Sequence, residues 1–189
     1  MSGRVQYLLA ATLDGFVAEE DGSLGWLFQF GGAGEGEESP VADFLKTVGA
    51  IAMGSATYQW LRDTDYWDYG DTPVWVFTSR GEQPRFDGSD IRFVSGRPAE
   101  FIDDMRAAAG DQVVWLMGGG NLADQFVDDG VLDDLLLTIA PVVLHKGIRM
   151  FERSRIVSPP LKLVGVQQRG PMVELRYELQ RGSPGADGS

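Results

Sequence analysis

Val113-Val114-Trp115-Leu116-Met117-Gly118-Gly119-Gly120-Asn121-Leu122 is the stretch that decides the fold. Its five apolar residues run without alternation, the pattern of a strand buried on both faces. Three glycines follow, and Leu122-Ala123-Asp124-Gln125-Phe126-Val127 reads as a helix. A strand that empties through bare backbone into a helix N-terminus makes an anion site. Free N–H groups and the positive end of the helix dipole both face the loop there. No Cβ on Gly118, Gly119 or Gly120 holds a phosphate away. The spelling is not G-x-G-x-x-G, and a plain glycine-rich turn reads the same way. Its meaning therefore depends on what stands at the ends of the other strands.

Outward from this stretch the chain alternates strands and helices. Val5 to Ala11 reads as a first strand, followed by the turn signals Asp14-Gly15 and Asp21-Gly22 around Phe16-Val17-Ala18. Gly31 to Glu38 has almost no apolar content and reads as a mobile loop. Ser39-Pro40 is an N-cap with proline at the first helical position. Val41, Phe44, Leu45 and Val48 then share one helical face. Ala50-Ile51-Ala52-Met53 is a strand ending at Gly54, with a helix from about Thr57. Val74-Trp75-Val76-Phe77 and Ile91-Arg92-Phe93-Val94 are further strands. Pro98 opens a helix that Gly110 ends, with Phe101, Ile102 and Met105 on one face.

After Gly130 the pattern changes. Leu135 to Ala140 is a strand, interrupted at Pro141 and continued by Val142-Val143-Leu144. Leu161–Val166 and Met172–Leu179 form a hairpin around Gly170-Pro171. In the last strand Val173, Leu175, Tyr177 and Leu179 alternate with Glu174, Arg176 and Glu178, which predicts a half-buried strand. The implied fold is α/β: a mixed, mostly parallel sheet, helices on both faces and an antiparallel C-terminal hairpin. Residues 1–181 read as one domain and 182–189 as a disordered tail.

Composition excludes several chemistries. The 189 residues carry no cysteine and one histidine, His145, so neither a thiolate or histidine metal centre nor a Ser-His-Asp triad is expected. His145 itself reads as a surface turn residue. Sixteen basic against 28 acidic side chains give a net charge of −12, which disfavours nucleic acid and anionic membranes as partners. No apolar run has the length of a membrane span or the form of a signal peptide, so a cytoplasmic protein acting on a small molecule is expected.

Three strand ends carry small, polar or basic residues: Gly54-Ser55-Ala56-Thr57, Thr78-Ser79-Arg80 and Gly118-Gly119-Gly120-Asn121. Ligands of open α/β sheets bind beyond the carboxyl ends of the strands. Together the three describe a cradle for an extended phosphate-bearing cofactor, with Arg80 as the cation whose fork matches a phosphate. The bland alternatives are a solvated Arg80 and capping roles for Ser79 and Thr57.

These residues carry a resemblance. Ala50-Ile51-Ala52-Met53-Gly54-Ser55-Ala56-Thr57-Tyr58 resembles the Met-Gly segment of dihydrofolate reductase-like proteins. Leu13-Asp14-Gly15-Phe16-Val17-Ala18 is similar to the opening of one branch, the reductase domain of the bifunctional riboflavin-biosynthesis deaminase/reductase. Gly118 to Leu122, Leu132-Asp133-Asp134-Leu135, and Ile139 to Leu144 with Gly147 and Phe151 follow that branch in order and spacing, from about Arg4 to Leu179.

The resemblance implies an NADPH-dependent reductase. Met53, Gly54, Ser55 and Thr57 would hold the cofactor's phosphates, and Thr78, Ser79 and Arg80 its ribose and 2′-phosphate. Met117 and Gly118–Leu122 would lie at the pyrophosphate and nicotinamide, with a cis bond at the first Gly-Gly pair. Ala11 would stand beside the nicotinamide. Trp26 matches the tryptophan of a loop that closes over the ring and Asp14 the pocket rim, and the proton would come from Asp14 or from ordered water. Thr138, inside a buried strand, either hydrogen-bonds into the pocket or satisfies its hydroxyl locally. The resemblance further implies pairing as a homodimer through the sheet edge and hairpin. Two departures stand out. Ser55 replaces the family's arginine, which leaves NADPH against NADH preference to Arg80. No carboxylate superposes on the pteridine anchor of dihydrofolate reductases, since Asp43 has the phase of an outward residue. The expected reaction is hydride transfer to a C=N or C=O of a pyrimidine- or pterin-like substrate, such as that of 5-amino-6-(5-phosphoribosylamino)uracil reductase. A pterin reductase and a noncatalytic NADP-binding module are the alternatives.

Overall fold

Eight strands form the main sheet, in the order β5-β4-β3-β6-β1-β7-β10-β9. The computed structural model describes residues 3–30, 40–152 and 160–180. The expected loop at Gly31–Glu38, the Ser39 cap and the 182–189 tail lie outside the described residues. In chain order the elements are β1 (Val5–Thr12), β2 (Phe16–Ala18), α1 (Gly25–Phe28), α2 (Pro40–Leu45), β3 (Val48–Gly54) and α3 (Ser55–Asp63). There follow β4 (Val74–Phe77), β5 (Ile91–Val94), α4 (Pro98–Ala109), β6 (Val113–Gly118) and α5 (Gly120–Asp128). The last are β7 (Asp134–Ala140), β8 (Ile148–Arg149), β9 (Leu161–Arg169) and β10 (Met172–Leu179).

From β5 to β7 all neighbours are parallel, and β10 and β9 complete the sheet antiparallel. The parallel strands are apolar throughout because both faces are covered. On one face Val5, Tyr7, Ala11, Ala50, Ala52, Val114 and Leu116 pack on Ile102 and Met105 of α4 and on Leu122, Ala123 and Phe126 of α5. On the other, Ile51, Met53, Val74, Val76 and Trp115 pack on Tyr58 and Leu61 of α3, with Phe44 of α2 at the margin. This is the two-sided arrangement that alternation of strands and helices dictates. A fully buried aliphatic side chain contributes about 1.5–3 kcal/mol, so these two layers dominate the fold's stability.

Three expectations are corrected. Helix α2 ends at Leu45, and Val48 begins β3 instead of extending the helical face. Its side chain is buried all the same, because the first residue of a central strand faces the core as a helix residue would. Val142–Leu144 is not a strand: after Pro141 the chain leaves the sheet and returns only as β8, which pairs with β2 in a separate two-stranded ribbon. Along β10 the burial is less regular than the alternation implies, since Val173 is exposed and only Tyr177 and Leu179 reach the core. β9 outside it is exposed along most of its length, including Leu161, Leu163, Val164 and Val166.

At the amino edge of the sheet the polar groups are closely paired. Asp134, fully buried, receives the Arg4 guanidinium at 2.6 and 2.8 Å and Gln6 Nε2 at 2.9 Å, with Arg176 at 3.7 Å. Burial pushes this carboxyl upward, but the Arg4 and Gln6 hydrogen bonds and the two guanidinium charges prevail and hold it below its ordinary value. Asp133 accepts from the Val5 amide at 2.9 Å and from Arg106 at 3.3 Å. The Leu132-Asp133-Asp134 motif is thus a structural anchor for the start of β1.

Candidate functional site

Because β4, β3, β6 and β1 are parallel neighbours, their carboxyl ends emerge side by side. Gly54 is in register with Phe77, and Met53 with Gly118. A Cβ on Gly54 would lie 3.6 Å from the Gly119 nitrogen and 3.7 Å from the Gly118 oxygen. The three segments singled out by sequence therefore meet at one edge, with Ala11 and Thr12 of β1 beside them. The Gly118–Gly119 bond is cis, and Gly118 has φ +112°, a region that side-chain-bearing residues rarely adopt.

Two helices begin here, α3 at Ser55 and α5 at Gly120, each after a glycine N-cap that supplies no side-chain oxygen. Their first N–H groups have no intrahelical acceptor, and the two dipoles bring partial positive charge to the same edge. At α5 the Leu122 and Ala123 amides already donate to the Gly119 oxygen, at 3.0 Å each. Leu122 buries its side chain in the core. The Leu122 amide thus closes the helix, and Gly120 and Asn121 are the ones whose amides lie ahead of the first turn. Asn121 Oδ1 accepts from Gln125 at 2.9 Å, so its side chain faces along the helix. A Cβ on Gly119 would meet nothing within 4 Å, whereas one on Gly120 would sit 2.6 Å from the Arg149 oxygen. The turn is open on one side and backed by protein on the other.

Of the predicted residues, Met53 and Ala11 are fully buried, while Ser55 and Thr57 are half-buried on the first turn of α3. Met117 faces the α3 side of the sheet. Thr78 is buried and its hydroxyl accepts from the Arg80 amide at 3.0 Å and from Gln83 Nε2 at 3.3 Å, which shapes the turn after β4. Ser79 and Arg80 are exposed at its tip, and among the described residues the Arg80 guanidinium makes no ion pair. Thr138 lies one strand beyond β1, opposite Ala10 and, on β10, Glu174, at half burial. Trp26 is buried on α1, and its Nε1 has no hydrogen-bond partner among the described residues.

Asp14 is occupied differently than expected. Its carboxylate accepts from Thr12 Oγ1 at 2.6 Å, from the His145 amide at 2.8 Å and from the Leu144 amide at 3.2 Å. The Thr12 hydroxyl bond first, then the two backbone donors, outweigh the cost of desolvation and lower its pKa from 3.8 to about 2. Both oxygens of the carboxylate are thus engaged, by the Thr12 hydroxyl and by the Leu144–His145 backbone. His145, at φ +63° and exposed, is the surface turn residue its isolation suggested. Asp43 pairs with Lys46 at 2.7 Å in solvent, as its helical phase implied.

The sequence reading missed Tyr7 and Asp124. Tyr7 is buried with its hydroxyl donating to the Met150 oxygen at 3.2 Å, and a Cβ on Gly118 would lie 3.6 Å from that hydroxyl. Burial first, with Asp124 and Glu152 nearby, raises its pKa and keeps it a neutral donor. Asp124 accepts from the Glu152 amide at 2.9 Å. The available signals were a phenol inside an otherwise apolar strand and an acid on the apolar face of α5.

The mostly parallel sheet with its closing antiparallel hairpin has a dihydrofolate reductase-like fold. Residues 4–175 match the RibD C-terminal domain, and the chain belongs to that family. An uncharacterized protein of Bacillus subtilis (strain 168), YwjB, is 31% identical over 178 residues, covering 94% of this chain and 98% of its own. A candidate riboflavin biosynthesis protein from Shewanella sp. PV-4 superposes with a TM-score of 0.81 at 21% identity, covering 96% of this chain and all of the other. The deaminase/5-amino-6-(5-phosphoribosylamino)uracil reductase of Thermotoga maritima gives 0.67 at 16% identity over 95% of this chain and 57% of its own. Enterococcus faecalis dihydrofolate reductase complexed with NADP(H) gives 0.60 at 14% identity over 94% and 97%. No helix among the described residues is long and apolar enough to cross a membrane.

Proposed function

We propose that the chain is an NADPH-dependent oxidoreductase acting on a small heterocyclic substrate of the pyrimidine or pterin kind. The single observation that carries this reading is the meeting of Gly54 with the Gly118–Gly119 backbone, one strand away from Thr78-Ser79-Arg80. The residues fit a dinucleotide. The α3 N-terminus and the open face of Gly119 would take the diphosphate, since a side chain at either place would fill the space the phosphate needs. Arg80, free of other ion pairs among the described residues, would take the 2′-phosphate. When bound, the reduced nicotinamide supplies the hydride.

The remaining work falls to the chain. By the family resemblance Ala11, at the end of β1, would stand beside the nicotinamide, and Trp26 would bound the side from which water must be excluded. Thr138, paired with Ala10 of β1 two residues before the end of β7, would be the hydroxyl that orients a ring nitrogen or oxygen. A pterin substrate is the less favoured choice because Asp43 is turned into solvent against Lys46. The exposed apolar residues of β9, at the sheet edge, suit pairing with a second copy of the chain.

The test is direct. NADPH should raise the thermal midpoint of the purified protein, and its oxidation should follow on a panel of pyrimidine, pterin and carbonyl substrates. Binding without turnover on any of them would favour a noncatalytic NADP-binding module. Binding of neither NADPH nor NADH overturns the reading.

A further inference from the structure

The segment Pro141–Glu152 runs from the end of β7 across the carboxyl edge of the sheet, and three separate attachments hold it. At its start the Leu13 amide donates to the Val142 oxygen at 2.9 Å, and the Asp14 carboxylate gathers the Leu144 and His145 amides. In its middle β8 pairs with β2, and the Met150 amide donates to the Gly15 oxygen at 3.1 Å. At its end the Glu152 amide donates to Asp124 on α5, and Tyr7 donates to the Met150 oxygen. Between these attachments the Arg149 and Met150 carbonyls press on Gly120, where a Cβ would lie 2.6 and 3.1 Å from them. The segment is therefore a strap drawn tight behind the glycine turn.

We propose that Asp14 and Asp124 are positioning residues for the dinucleotide site, acting through this strap to fix Gly118–Gly120 with its amides facing outward. Each carboxylate holds backbone amides of the strap, one from the β1–β2 turn and one from α5, and the strap holds Gly120. A peptide edge fixed in this way needs no reorganisation when an anion arrives, and preorganisation is what a short row of backbone donors contributes to affinity. Asp14 explains why an acidic residue sits beside a site for an anion: its charge is spent on two amides and a hydroxyl. The inference rests on the cofactor reading given above.

The test compares wild type, Asp14→Ala and Asp14→Asn, with Asp124→Asn as a second clamp variant. NADPH binding is followed by fluorescence, and tryptic cleavage after the exposed Lys146 reports the strap. Asp14→Ala should raise the Kd for NADPH about tenfold and speed cleavage at Lys146. Asp14→Asn, which keeps one acceptor oxygen, should recover part of both. NADPH should slow the cleavage, because strap order and binding are linked in both directions. Loss of folded protein alone would lower the binding amplitude with Kd unchanged. Wild-type Kd and wild-type cleavage in Asp14→Ala overturn the proposal. If wild type binds no NADPH, the cofactor reading fails by itself. Cleavage at Lys146 then still decides whether Asp14 clamps the strap.

Discussion

Strand β1 has two ends that solve opposite problems. At its start, Arg4, Gln6, Asp133 and Asp134 satisfy one another: a fully buried carboxylate receives a bidentate guanidinium and an amide. At its finish, Ala11 opens onto glycines, two helix N-termini without side-chain caps and an arginine with no ion pair among the described residues. A buried charge needs all its partners, because an uncompensated one costs several kcal/mol. A helix N-terminus at the surface tolerates lacking them, because water substitutes until a ligand arrives. The paired end serves stability and the bare end is the proposed binding edge, and substitutions at the two should separate these properties.

The largest effect is expected at the paired end. Asp134→Ala removes the acceptor that Arg4 and Gln6 share, and with charged hydrogen bonds at about 1.5–3 kcal/mol each it should give the largest stability loss, read by denaturant unfolding, with the Kd for NADPH of the folded fraction unchanged. Next comes a substitution that inverts the logic at the bare end. Gly54→Asp places a favoured N-cap at the start of α3, with ordinary contacts to Gly118 and Gly119. Stability should change by no more than about 0.5 kcal/mol. NADPH affinity should fall more than about tenfold, equivalent to about 1.4 kcal/mol, by calorimetric titration. Loss of stability without loss of binding would break the comparison.

Arg80→Ala should weaken NADPH by about tenfold, as expected for a charge-assisted hydrogen bond of about 1.5–3 kcal/mol, and leave NADH and the thermal midpoint nearly unchanged. Equal losses for both cofactors would remove Arg80 from the 2′-phosphate. The smallest effect is that of pH on Asp14. Its pKa is depressed in the fold, so the clamp is complete above the ordinary value of 3.8 and is lost as pH falls toward about 2. A carboxyl-carbon titration should find that midpoint, and one near 3.8 would mean the three hydrogen bonds are absent in solution.

The sequence was most legible where both faces of a strand are buried. β4 and β5 carry the bounds expected of them, because an unbroken apolar run ended by turn residues has one reading. The cradle was legible for a related reason: Gly54, Thr78 and Gly118 end three such runs, and parallel strands bring equivalent ends together. Val48 misled because a helical spacing and a strand's first core residue coincide at that position. The strap was illegible: Val142-Val143-Leu144 reads as strand, and nothing local reveals that Asp14, some 130 positions away, takes its amides. Long-range side-chain to backbone bonds leave no periodicity.

The most direct measurement is an amide NMR titration of the protein with NADPH. The account predicts saturable binding, with the largest shifts at Gly54–Thr57, Thr78–Arg80 and Gly118–Asn121 and little change around Arg4, Gln6 and Asp134. Absence of binding, or shifts gathered at the amino edge instead, would contradict it.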